Sequence, residues 1–126
     1  MSENNPNVLV SYDPTTDTVS VDKAKVSVKT GPQTITWRLA TIPPQTGALS
    51  WAATNGIYFV TKPNRSDWPN SQPSLSGQIY RVTYTNSQTS GTTTYGYEVN
   101  VTYTPAGGTG SPKHLDPDVE NTSDPP

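Results

Sequence analysis

Between residues 78 and 104 the chain alternates apolar and polar side chains almost without a break. In QIYRVTYTN, Tyr80, Val82 and Tyr84 fall on one parity, and Arg81, Thr83 and Thr85 on the other. In TYGYEVNVTYT, Tyr95, Tyr97, Val99, Val101 and Tyr103 share one parity; Gly96, Glu98, Asn100, Thr102 and Thr104 share the other. Successive side chains of a strand project to opposite faces, so each segment reads as a strand with one apolar and one wet face. With Asn86 to Thr92 as the loop, the two read as a β-hairpin that closes the domain.

The same rule organises the rest of the chain. Val8 to Tyr12 reads as a first strand, and Asp13-Pro14-Thr15-Thr16-Asp17 as a turn in which proline presets φ and aspartate accepts backbone N–H groups. Val19 and Val21 alternate, then Val26 and Val28 do so with opposite parity; the slip at Asp22 to Lys25 reads as a tight turn, with a bulge within one long strand as the alternative. Ile35, Trp37 and Leu39 mark one face of a strand that ends before Ile42-Pro43-Pro44, where two prolines cannot donate ladder bonds. Leu49 to Ala53 and Ile57 to Thr61 flank Asn55-Gly56, a strong hairpin-turn signal. No segment of ten or more residues carries a helical period. The expectation is an all-β fold: an antiparallel β-sandwich of about seven to eight strands, with turns spaced about 8–12 residues apart.

Composition bounds the function. Thr and Ser make up about a quarter of the chain, which suits half-exposed strand faces. The chain contains no cysteine, so disulfides, thiolate chemistry and cysteine zinc sites are excluded. Net charge is −2 and no basic stripe exists, which argues against nucleic-acid binding. No apolar run approaches the roughly 20 residues that span a bilayer, and MSENNPNVLVSY lacks the pattern of a signal peptide. A cytoplasmic location without membrane contact is the expectation. Residues 1–7 read as a flexible N-terminus, 8–104 as the sandwich domain, and 105–126, rich in Gly, Pro and acids, as a flexible tail. Leu115 and Val119 are the residues through which 114–121 could dock.

Trp37 on a central strand, followed by Leu75-x-Gly77-x-x-Tyr80-x-Val82, resembles the immunoglobulin-like and fibronectin-III-like sandwiches. The resemblance covers roughly residues 8–104. It implies that Trp37 fills the core from the third strand and that Tyr80, near the start of the penultimate strand, ties a corner to backbone upstream. It carries no function, because this architecture hosts many.

No catalytic constellation stands out. The single histidine, His114, lies in the expected tail, and Glu98 reads as one half of a cross-strand polar pair with Arg81 or Thr83. Asp116, Asp118 and Glu120 alternate as calcium ligands could, but without the glycine and terminal glutamate of an EF-hand loop; a solvating acidic segment is the plain reading. The long loop from Lys62 to Gly77 is the best candidate for recognition, since Trp68 lies among Asn64, Arg65, Asp67 and Asn70. The expected function is a non-enzymatic protein-interaction or assembly module, with a protein partner or a second copy, and no cofactor. A carbohydrate-binding module using the Trp68 loop on a glycan is the alternative.

Overall fold

A computed structural model describes residues 2–60 and 72–126, among which there is no helix. The strands are β1 (Asn7–Asp13), β2 (Thr18–Val21), β3 (Lys25–Val28), β4 (Gly31–Leu39), β5 (Gly47–Trp51) and β6 (Ile57–Phe59). They continue with β7 (Ser74–Ser76), β8 (Ile79–Asn86), β9 (Thr92–Pro105), β10 (Ser111–Leu115) and β11 (Asp118–Thr122). Two sheets form. The first has the order β2-β1-β4-β8-β7, antiparallel except that β1 runs parallel to β4. The second is built on the 14-residue β9. Along one edge of β9 lie β5 and β6, along the other β10 and β11, and β3 runs parallel to β11 beyond it.

The alternation seen in the sequence becomes the inner faces of a sandwich. Ile35, Trp37, Tyr80, Val82 and Tyr84 of the first sheet, and Tyr95, Tyr97, Val99, Val101 and Tyr103 of the second, are all buried. Trp37 lies at the centre, fully buried. Its ring is 5.5 Å from that of Tyr97 and 6.1 Å from that of Phe59, both on the facing sheet. Tilted and edge-on aromatic contacts of this kind hold two sheets in one relative position, because each ring has a preferred approach. Burial pushes the Tyr97 phenol well above its ordinary range, with the Trp37 indole a lesser, opposing influence.

Several expectations change. β8 and β9 do not pair. They lie in different sheets, and Ser87 to Gly91 arches between them, so the segment is not a hairpin. A period-two pattern states which side is apolar; it is the same whether the next strand lies beside or opposite. Asn55 has the positive φ expected of it, 54°, yet it joins no hairpin. β5 and β6 both run antiparallel to β9 on the same edge, and the residues between them bulge out. The break after Val21 is real, and there the chain crosses from the first sheet to the second. The resemblance placed Tyr80 on the penultimate strand; it sits instead at the start of β8, where its hydroxyl accepts the Gly56 N–H at 3.1 Å. A Cβ on Gly56 would come within 2.6 Å of the Tyr80 ring, so this approach requires glycine.

The largest correction concerns residues 105–126, expected as a flexible tail. Ser111 to Thr122 lies along β9 in one continuous register, from Ser111 opposite Tyr103 to Thr122 opposite Thr92. Pro117 does not break it, because its carbonyl accepts the Tyr97 N–H at 3.0 Å. Leu115, Pro117, Val119 and Asn121 share the inward parity, and the last three are buried. Proline and asparagine occupy inward positions where valine would mark the alternation, so the sequence alone hides the strand.

Asparagine is tolerated there because it is satisfied. Tyr84 donates to Asn121 Oδ1 at 2.7 Å, a bond from one sheet to the other. Next to it, the buried Asn86 amide lies 3.0 Å from each of the carbonyls of Val28, Lys29 and Thr122. The N-terminus joins the same end of the sandwich: Glu3 bridges Val28, and the Ser2 hydroxyl donates to Asp124. Two outcomes follow from this packing. Trp37→Ala should cost about 3–5 kcal/mol in urea unfolding. Asn86→Ala leaves buried carbonyls short of a donor and should cost about 1–3 kcal/mol; an Asn86→Ala variant as stable as the parent would show that the amide is not a tie.

Candidate functional site

The recognition residues expected from the sequence, Asn64, Arg65, Asp67, Trp68 and Asn70, lie outside the described residues. On either side of that segment are Val60, 56% exposed, and Leu75, 47% exposed. Gln72 folds back on β6, its amide accepting from the Phe59 N–H at 2.6 Å and donating to the Phe59 carbonyl at 3.1 Å. A side chain thus occupies the outward backbone groups of Phe59, as a neighbouring strand would. Trp51 is a core residue, with its indole N–H donating to the Gln78 carbonyl at 2.9 Å.

The adjoining β5 is different. Ala52 donates to the Asn100 carbonyl and Ala106 to the Thr46 carbonyl, so the even-numbered residues of β5 face β9. In an antiparallel ladder the alternate residues point their N–H and C=O groups away. Leu49 and Trp51 do so here, and among the described residues none bonds to those groups. From Leu39 to Thr61 the sequence carries no charged residue at all. Beside this edge opens a cleft of about 420 Å³, lined by Arg38, Leu39, Ile42, Leu49, Gln78 and Ile79 among others. The other edges are occupied or short. β3 is covered by Glu3, β2 abuts β10, and β7 has three residues.

The acidic candidates separate. Glu120 pairs with Lys25 at 3.6 Å and accepts from the Ser27 hydroxyl. Asp116 lies instead against His114, Nε2 to Oδ1 at 2.6 Å. Glu98 does not face Arg81 or Thr83, which are on the other sheet; it lies across from Tyr58 on β6. Glu98, His114 and Asp116 each place a ligand atom within 4.8 Å of the others. Sequence reasoning missed this group because it set His114 in a tail; the β9–β10 register is what brings these residues together.

A second polar cluster joins the two sheets. Lys113 of β10 approaches Asp17 at 2.7 Å, Tyr12 donates to the same carboxylate at 2.6 Å, and Lys113 also sits 5.8 Å from the centre of the Tyr12 ring. The hydrogen bonds from Lys113 and Tyr12 hold the Asp17 carboxyl below its ordinary value. The bond to Asp17 raises both the Lys113 ammonium and the Tyr12 phenol. This is a structural tie between the first turn and β10, in which the buried Tyr12 reaches an exposed Asp17 carboxylate.

Compared with known proteins, the chain matches no family model and no curated protein sequence.

The Asp17 cluster sets a pH dependence whose sign is fixed. A depressed carboxyl contributes stability above its ordinary value of 3.8, lost as the pH falls through its lower folded value. A raised lysine contributes below 10.5 and ceases to contribute as the pH rises through its folded value. An NMR titration should place the Asp17 midpoint below that of an ordinary aspartate. Lys113→Met should move it upward, and an unmoved midpoint would dissociate the pair.

Proposed function

We propose that this chain is a non-enzymatic protein-interaction or assembly module that receives an extended segment of a partner protein along β5. The observation that carries this reading is the edge itself: outward N–H and C=O groups at Leu49 and Trp51, in a stretch without a single charge. Sheet edges are normally blunted by charges, proline or a covering segment, because a bare edge templates strand addition. Strand addition takes its affinity from main-chain bonds and its selectivity from pockets for alternate side chains. The cleft lined by Leu39, Ile42, Leu49 and Ile79 is suited to accept an apolar side chain of such a segment.

The strand order supports an immunoglobulin-like form of the sandwich. β4, β8 and β7 form one antiparallel run, as the B, E and D strands do there; β5/β6, β9 and β10/β11 form the other, as C, F and G do. On this reading Trp37 belongs to the second strand of the pattern rather than the third, and the β1–β2 hairpin is an addition. Absence of cysteine suits a reducing compartment such as the cytoplasm.

Hydrogen exchange on a complex tests the edge, with a second copy of the chain as the first partner to examine by sedimentation over a concentration series. The Leu49 and Trp51 amides should gain protection on association. The side chains of Ala48 and Ser50 are exposed. Ala48→Lys with Ser50→Lys should therefore weaken association about tenfold or more and leave the melting temperature unchanged. Protection confined to other strands would refute the β5 edge.

A further inference from the structure

The outer face of the second sheet carries a four-residue block with its own chemistry. Glu98 and Asn100 are alternate residues of β9. His114 is directly opposite Asn100, and the continuous register puts Asp116 opposite Glu98. Two carboxylates therefore face each other across adjacent strands, an arrangement that costs stability when nothing positive lies between them. Among the described residues no lysine or arginine pairs with either one.

The imidazole lies beside this pair. Its Nδ1 is 2.7 Å from Asn100 Oδ1 and its Nε2 is 2.6 Å from Asp116 Oδ1. The orientation of the Asn100 amide is set from its other end, where Nδ2 donates to the Asn55 carbonyl at 2.8 Å and to Glu98 at 3.2 Å. Oδ1 must therefore be the atom facing the ring, and it accepts from Nδ1–H. With Nδ1 carrying a proton, Nε2 stands 2.6 Å from Asp116 Oδ1, a separation that needs a cation, a proton or a metal ion, between the two atoms. Nε2 and an oxygen of each carboxylate lie within 4.8 Å of one another, close enough for one cation to reach all three. A proton on Nε2 bridges to one carboxylate; a divalent ion bonds to all three groups.

We propose that Glu98, His114 and Asp116 form a binding site for a divalent transition-metal ion of the zinc class, with Asn100 as the positioning residue for the ring. One imidazole with two carboxylates is a donor set that zinc accepts, whereas calcium prefers oxygen alone. The Asn100 bond to Nδ1 is the outer support that metal-bound histidines commonly have, and it selects Nε2 as the ligand atom. The half-exposed His114 and exposed Asp116 side chains have room to open around an ion, and a fourth position faces solvent.

His114 is the only histidine, so its ring proton signals are a single, unambiguous probe. Zinc added to the full chain should shift or broaden those signals saturably at one equivalent, together with the amides near residues 98 and 116. A Glu98→Gln/Asp116→Asn variant should lose most of that affinity, and Asn100→Ala should lose about 10–100-fold. Calcium at the same concentration should leave the ring unmoved. Circular dichroism of each variant separates loss of ligands from loss of fold. If millimolar zinc leaves the ring signals of the parent unchanged, or moves parent and double variant alike, the three-residue site is wrong.

Discussion

The strand from Ser111 to Thr122 is the element on which the second sheet depends. It pairs along β9 on one side and, through β11, with β3 on the other. Without it β3 would have only the Glu3 bridge as a partner, and Val26 and Val28 would have no sheet to hold them over the core. Its end is clamped by polar groups of the facing sheet, Tyr84 on Asn121 and Asn86 on the Thr122 carbonyl. Apolar burial drives the layers together without specifying register; these buried hydrogen bonds admit only one alignment, because a shift would leave each of them unmade.

This arrangement also bears on the proposed recognition. Most of the tyrosines and valines among the described residues are buried in the core, with Trp37 against Phe59 and Tyr97 at its centre. Among the described residues, backbone at an uncharged edge and polar side chains on an outer face are left for contact, besides the exposed Val60 and Leu75. The two surfaces proposed here lie on opposite flanks of β9: the β5 edge on one, the His114 block on the other. Both exist because a single 14-residue strand is long enough to carry different neighbours along its length.

Much of the fold was legible from residues. Val8, Val10 and Tyr12, Ile35 and Trp37, and the five alternating residues of β9 were assigned to inner faces, and all are buried. The turn at Pro14 and the break after Val21 were placed correctly. The misreadings have two causes. Neighbouring strands in sequence were assumed to be neighbours in the sheet, which made a hairpin of β8 and β9 and another of β5 and β6. The C-terminal strand was missed because Pro117 and Asn121 hold inward positions that only a tertiary partner makes acceptable, a carbonyl bond to Tyr97 in one case and a tyrosine hydroxyl in the other.

The sequence by itself determined that this is an all-β chain, which faces of its strands are apolar, and that cysteine chemistry is absent. Those properties are local: period-two alternation, turn residues and composition need no knowledge of distant partners. Only the tertiary structure decided that the alternating strands at residues 79–105 face each other across a core, that the acidic C-terminus is a central strand, and that Glu98, His114 and Asp116 meet. These depend on register between segments far apart in the chain, and register is set by hydrogen bonds and packing that no single segment contains.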